Sequence, residues 1–247
     1  MSSRLFRCLT LDMAAIVMVH GAWGGSYGFR HVRKLLNEAD HDVFTPSLTG
    51  IGERSHLTGP HVNLELHITD VRNMIFCEDL HDIVLLGFSY GGMVVTGLLD
   101  FMTQRIRHLV YLDAFVPNDG ESAAKLVGQT TESLTSTAID GLVPPVPRQL
   151  DTPEDTLWSN ERRVGQPVAT LTDPVRLSTP LEEHAFTRTY IKASADPGES
   201  PESGFWRAAR RAQESDRWSY HEIETHHMVP LSRPQELAKI LIGIAER

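Results

Sequence analysis

The stretch Ile83-Val84-Leu85-Leu86-Gly87-Phe88-Ser89-Tyr90-Gly91-Gly92 decides the fold. Ile83 to Leu86 is an uninterrupted apolar run bounded by turn residues, the mark of a strand buried on both faces. It runs into Gly87-Phe88-Ser89-Tyr90-Gly91, a G-x-S-x-G pattern, and Met93 to Phe101 then reads as a helix. A tight strand-to-helix turn holds its serine in a strained conformation, leaves no room for side chains beside it, and thrusts the hydroxyl above the sheet. Close packing alone is the competing explanation of the glycines. The strand before and the helix after are the context that a nucleophile turn demands.

Outward from that turn, short apolar runs alternate with segments of helical period. Ile16 to Val19 reads as a strand and Phe29 to Ala39 as a helix, with Phe29, Val32, Leu35 and Leu36 on one face. Val43 to Pro46 is the next strand, Ser47 to Pro60 a loop rich in Gly, Ser and Thr, and Ile68 to Phe76 a helix. Ile106 to Leu112 follows the serine helix as a strand. After a gap come a strand over Thr187 to Lys192, a helix over Phe205 to Ala212, a strand over Trp218 to Ile223, and a helix over Pro234 to Ala245 with proline in its first turn. The alternation predicts an α/β chain: a mostly parallel sheet with helices on both faces.

From about 116 to 183 the period breaks down, and Pro144, Pro145 and Pro147 fall close together. This stretch is expected to be a cap inserted over the sheet of one domain spanning residues 1–247. Arg4 and Arg7 precede the apolar run Met13 to Val19 and imitate a signal peptide, but Asp12 intervenes, so the run is read as a strand and residues 1–12 as a loosely attached extension.

The chain has 247 residues, of which 41% are hydrophobic, enough to bury the core of one domain. Its 32 acidic and 23 basic residues give a net charge of -9, and the Lys and Arg are scattered, which argues against nucleic acid as a partner. No apolar stretch approaches the ~20 residues of a membrane span. Cys8 and Cys77 sit in neither a C-x-x-C nor a Cys/His metal spacing, so no disulfide framework or zinc site is expected and a reducing cytoplasm fits best.

A serine hydroxyl needs a base to take its proton. His226 and His227 follow the last expected strand; His227 is favoured because Met228-Val229-Pro230-Leu231-Ser232-Arg233-Pro234 leads straight into the terminal helix, with His226 left as an alternative. The orienting carboxylate is expected at Asp196, after the strand Thr187 to Lys192 and in the chain order Ser, Asp, His; Asp113, at the end of the strand after the serine helix, is the rival. An oxyanion hole requires two backbone N–H groups. Tyr90 supplies one, and the turn His20-Gly21-Ala22-Trp23-Gly24-Gly25 the other, through Ala22 or alternatively Trp23. His20 is read as shaping that turn.

These residues resemble the α/β-hydrolases that include plant methylesterases and hydroxynitrile lyases, together with bacterial esterase-like relatives. The resemblance rests on Val19-His20-Gly21-Ala22-Trp23, on Thr49-Gly50-Ile51-Gly52-Glu53-Arg54-Ser55-His56-Leu57, on Gly87 to Gly92 and on His227 to Pro234. Thr189-Tyr190-Ile191-Lys192-Ala193-Ser194-Ala195-Asp196 is similar to the family's acid-bearing segment, which implies Asp196 as the triad acid. Relatives usually have histidine where this chain has Phe88. The family's lyases use a threonine and a lysine at positions that look like Gly21 and Met228 here, which implies hydrolysis rather than cyanide elimination.

The expected activity is cleavage of a small carboxylic ester through an acyl-enzyme on Ser89, without metal or organic cofactor. A lyase or cofactor-free oxygenase on the same scaffold, or a small-molecule receptor, are the alternatives. Trp158, Val164 and Phe115 are expected to line an apolar substrate pocket, with a place in the cap core as the other reading, and His56 is expected to face solvent. Beyond the small-molecule substrate, neither nucleic acid nor membrane is expected as a partner, and a homodimer is left open.

Overall fold

In the computed structural model, which describes residues 13–197 and 199–247, the strands in chain order are β1 (Ala15–Val19), β2 (Asp42–Phe44), β3 (Ile83–Phe88), β4 (Ile106–Leu112), β5 (Leu142–Val143), β6 (Gln166–Pro167), β7 (Thr187–Ala193) and β8 (Trp218–Ile223). Six form one sheet in the order β2-β1-β3-β4-β7-β8, and every neighbouring pair is parallel. The helices are α1 (Arg30–Glu38), α2 (Leu64–Cys77), α3 (Gly91–Gly97), α4 (Leu99–Met102), α5 (Ala123–Leu126), α6 (Thr131–Thr137), α7 (Pro153–Asn160), α8 (Val168–Thr172), α9 (Gly204–Gln213), α10 (Val229–Ser232) and α11 (Pro234–Ala245).

Because successive side chains of a strand point to opposite faces, each central strand feeds two cores. Val17, Val19, Leu85, Leu109 and Tyr111 pack on one face with Ile68 and Val71 of α2, Val94 of α3 and Ala209 of α9. Ile16, Met18, Val84, Leu86 and Val110 pack on the other with Val32 and Leu36 of α1 and Leu237 and Leu241 of α11. The strand order reverses at β1, so the carboxyl ends of β1 and β3 open the crevice where open α/β sheets bind ligands.

The chain between β4 and β7 adds nothing to the main sheet. It folds into α5 to α8 and the antiparallel ladder of β5 and β6. The expected elements recur with shifted bounds. Helix α2 starts four residues earlier than its apolar period suggests, because the Asn63 side chain accepts the Leu66 N–H at 2.9 Å and buried Leu64 extends the apolar stripe. Strand β3 runs on through Phe88, and the serine helix is divided into α3 and α4. The expected extension over residues 1–12 lies outside the described residues. Among the described residues no helix is long and apolar enough to cross a membrane.

Candidate active site

Ser89 closes β3 with φ at +56°, a left-handed conformation that costs a non-glycine residue of order 1–3 kcal/mol and persists only where its surroundings fix it. The flanking glycines are required by contact. A Cβ on Gly87 would lie 2.7 Å from the Gly91 carbonyl oxygen, and one on Gly21 would lie 2.8 Å from the Ser89 Cβ. Side chains at Gly91 and Gly92 would press into the carbonyls of Val19 and Phe115. The Ser89 N–H donates to the Leu112 carbonyl at 3.2 Å, which ties the turn to the end of β4.

The loop after β8 brings His227 over that turn. Its Nε2 lies 2.9 Å from Ser89 Oγ and its Nδ1 lies 2.6 Å from Asp113 Oδ2. Phe88 and Phe205 hold the imidazole from either side with ring centroids 4.9 Å away, and Phe205 stacks in turn on Phe115 at 4.7 Å. Asp113 follows directly on β4, also with positive φ at +40°, and has no exposed surface. Its N–H donates to the Ile191 carbonyl at 2.7 Å, and its Oδ1 accepts from Lys192 Nζ at 2.7 Å and from the Ala193 N–H at 3.3 Å. Lys192 is wholly buried too, and its remaining donors reach Glu199 Oε2 at 2.8 Å and the Ala193 carbonyl at 2.6 Å.

Asp196 is therefore not the carboxylate that meets His227. It lies three residues past β7 and faces Arg148, whose Nη1 is 3.5 Å from its Oδ2. The sheet order explains the exchange: β4 is the direct neighbour of β3, whereas β7 is one strand further out, so the turn after β4 is the nearer to the nucleophile turn. The segment that resembles the family's acid-bearing stretch instead contributes Lys192, the cation that lets Asp113 stay ionised without water. His226 turns away, with its Nε2 3.3 Å from Asp151 Oδ1.

Electrostatics set the resting protonation. Burial, reinforced by the nearby Arg148 charge, holds the His227 imidazole below its ordinary 6.5 against the opposing pull of Asp113 and Asp196. Burial works to raise the Asp113 carboxyl, but the hydrogen bond and charge of His227 together with Lys192 keep it below the usual carboxylate range. The resting pair is an ionised Asp113 and a neutral His227 with its proton on Nδ1, which leaves Nε2 free to accept from the serine.

The Trp23 N–H donates to Gln166 Oε1 at 2.9 Å, so the Trp23 amide of this turn is already engaged. The Tyr90 amide is one of the orphan donors at the start of α3. The Tyr90 hydroxyl lies 2.9 Å from His67 Nδ1, and His67 Nε2 lies 2.8 Å from the Thr49 carbonyl. Burial pulls His67 down to about 3, so its ring stays neutral, donating to Thr49 and accepting from Tyr90. His20 shapes its turn: Nδ1–H donates to the Gly21 carbonyl at 2.9 Å, and Nε2 accepts the Leu48 N–H at 3.1 Å.

A cleft of about 50 Å³ lies over Ser89 and His227, with Trp23, Phe88, Arg148 and Arg163 in its walls. A wider groove of about 690 Å³ adjoins it and shares Trp23, Arg148 and Arg163. The expected pocket residues lie elsewhere. Trp158 is clamped between the guanidiniums of Arg30 and Arg162, 3.5 and 4.5 Å from its ring, with Tyr27 edge-on, and Phe115 is a core residue under Phe205. Val164 packs against the core and donates its N–H to the Trp23 carbonyl at 3.0 Å, and His56 is exposed. Among the described residues no three His, Cys, Asp or Glu side chains converge as a metal-binding group.

The parallel sheet, the strained serine turn and the Asp113–His227–Ser89 relay together define a hydrolase-type scaffold. The chain belongs to the alpha/beta hydrolase family, which it matches over residues 16–240. It is 38% identical to a carbendazim hydrolyzing esterase of Nocardioides sp. (strain SG-4G) over 250 residues, covering 94% of this chain and 100% of that protein. An alpha-hydroxynitrile lyase of Arabidopsis thaliana is 28% identical over 108 residues, 41% of this chain and 40% of the lyase. Among solved structures, an extracellular alpha/beta-hydrolase from a Paenibacillus species superposes with a TM-score of 0.81 at 20% identity, covering 95% of this chain and all 100% of that one. A methylesterase from Arabidopsis superposes with a TM-score of 0.70 at 21% identity, covering 94% and 98%.

The residues that sequence reasoning missed are Lys192, Gln166, His67, Arg148 and Arg163. A lysine inside the apolar strand Thr187 to Ala193 was the available signal: a cation in a buried strand requires a buried carboxylate on a neighbouring one. Gln166 and the two arginines belong to the stretch between β4 and β7, where no period links position to partner.

Proposed function

We propose that this chain, an ester-hydrolysing α/β-hydrolase, cleaves a small carboxylic ester through an acyl-enzyme on Ser89. The observation that carries the reading is the continuous relay of 2.9 Å from Ser89 to His227 and 2.6 Å from His227 to Asp113. Ser89 Oγ attacks the ester carbonyl carbon while His227 Nε2 takes the hydroxyl proton. The carbonyl π pair moves onto oxygen, and the resulting oxyanion sits against the amides of Ala22 and Tyr90. Collapse breaks the bond to the alcohol, which leaves with the proton from His227. Water, deprotonated by the same imidazole, then attacks the acyl-serine, and the acid departs with Ser89 restored. Asp113 holds the Nδ1 tautomer and stabilises the imidazolium formed in each half-reaction.

The test is turnover of a panel of p-nitrophenyl, methyl and aryl esters, carbendazim included, by the wild type and by Ser89→Ala, together with fluorophosphonate labelling and peptide mapping. Turnover with the label on Ser89 and an inactive mutant is the expected result. An unlabelled Ser89 with no ester cleaved would remove the acyl-enzyme and favour proton abstraction by His227 or a receptor role.

A further inference from the structure

The cleft over Ser89 carries positive charge that the described residues neutralise only in part, through the Asp196 that faces Arg148. Arg148 and Arg163 both line the cleft over Ser89, and no carboxylate does. In the adjoining groove the acidic residues are Asp196, which faces Arg148 at 3.5 Å, and Asp151, which is engaged by Arg233 at 2.6 Å and by His226 at 3.3 Å. Among the described residues Arg163 has no such partner. Its Nε is buried without a hydrogen bond, and the charge that acts on it most strongly is that of Arg148. Burial and the repulsion of Arg148 pull its guanidinium down to about 10, which still leaves it charged at neutral pH.

Two guanidiniums that repel each other in a half-buried cleft are an unfavourable arrangement unless an anion joins them, and an unpaired buried N–H costs of order 1–3 kcal/mol. The chain as a whole has a net charge of -9, so cations gathered at the one nucleophile oppose the general balance of the protein. Geometry suits an anion as well. The Arg163 guanidinium lies over the Trp23 ring, 5.6 Å from its centroid, and lines the cleft over Ser89, where a planar fork suits a carboxylate.

We propose that Arg163, assisted by Arg148, forms an anion subsite beside Ser89, so that the preferred substrate is an ester bearing a free carboxylate on its acyl or its alcohol part. The inference rests on the reading of Ser89 as the nucleophile for its catalytic meaning, but the subsite itself can be measured without turnover. The full chain carrying Ser89→Ala is titrated calorimetrically at pH 8 with two matched pairs: 4-carboxyphenyl acetate against its methyl ester, and p-nitrophenyl hydrogen adipate against p-nitrophenyl methyl adipate. The free acid of at least one pair is expected to bind about tenfold or more tighter than its neutral partner, as a charge-assisted bidentate contact allows. Adding Arg163→Met should bring that ratio towards one, and raised salt should reduce it.

Equal affinities within both pairs, no binding by any of the four, or a preference that survives Arg163→Met would overturn the subsite and leave Arg163 as a stacking partner of Trp23. Failure of the nucleophile reading looks different, since it shows as an unlabelled Ser89 in the wild type whatever the affinities of the Ser89→Ala protein.

Discussion

Two aspartates stand at the ends of neighbouring strands, and they meet opposite fates. Asp113, at the end of β4, has no exposed surface, a left-handed backbone, and donors from His227, Lys192 and Ala193 on its two oxygens. Asp196, past the end of β7, keeps 18% of its side-chain surface and faces a single guanidinium at 3.5 Å. Both are carboxylates that influence His227, yet only one is hydrogen-bonded to it. In this chain the partner of His227 is set by the strand next to the nucleophile and by a buried counter-charge. Chain order does not separate the two, since both lie between Ser89 and His227.

The largest expected effect separates the two directly. Asp113→Asn should lower kcat for a simple ester by about a thousandfold to ten-thousandfold, because the amide enforces the wrong imidazole tautomer, whereas Asp196→Asn should cost less than about tenfold. Steady-state kinetics on a single p-nitrophenyl ester give both numbers. A larger loss from Asp196→Asn would reverse the assignment.

Stability sharpens the contrast next. Lys192→Met strands Asp113 and Glu199 without their cation and should cost about 3–5 kcal/mol in urea unfolding, the usual penalty of breaking a buried pair. Arg148→Met removes a partly exposed pair and should cost less than about 1 kcal/mol. Similar losses for both would mean that Lys192 is not the counter-charge that makes Asp113 tolerable.

The smallest effect is a shift in pH dependence. The reaction needs neutral His227, so kcat/KM falls as pH drops through the imidazole's range, which burial and Arg148 place below 6.5. Arg148→Met removes a charge that lowers His227, so the acid limb should move to higher pH. Asp196→Asn removes one that raises it, and the limb should move to lower pH. Movement of both in the same direction would contradict the opposed influences on the imidazole.

Much of this was legible in the sequence because it is local. The Ile83 to Gly92 stretch carries its strand, turn and nucleophile in its own pattern; Gly87 is demanded by contacts with Gly91 and Val95, while Gly91 and Gly92 meet the more distant Val19 and Phe115. His227 was readable because it sits between the last strand and a helix that opens with Pro234. The acid was not, because the choice between Asp113 and Asp196 depends on the spatial order β3-β4-β7, which no single segment encodes. Trp158 misled for a related reason. A large apolar side chain in the irregular stretch between β4 and β7 can face the cleft or be covered by arginines, and here Arg30 from α1, more than a hundred positions away, takes it.

The most direct test of the relay is the far-downfield proton resonance of a histidine Nδ1–H held by a carboxylate. It should be present in the wild type, absent in His227→Gln, retained in Asp196→Asn and lost in Asp113→Asn. Retention in Asp113→Asn together with loss in Asp196→Asn would show that Asp196 holds the imidazole, and would contradict the account at its centre.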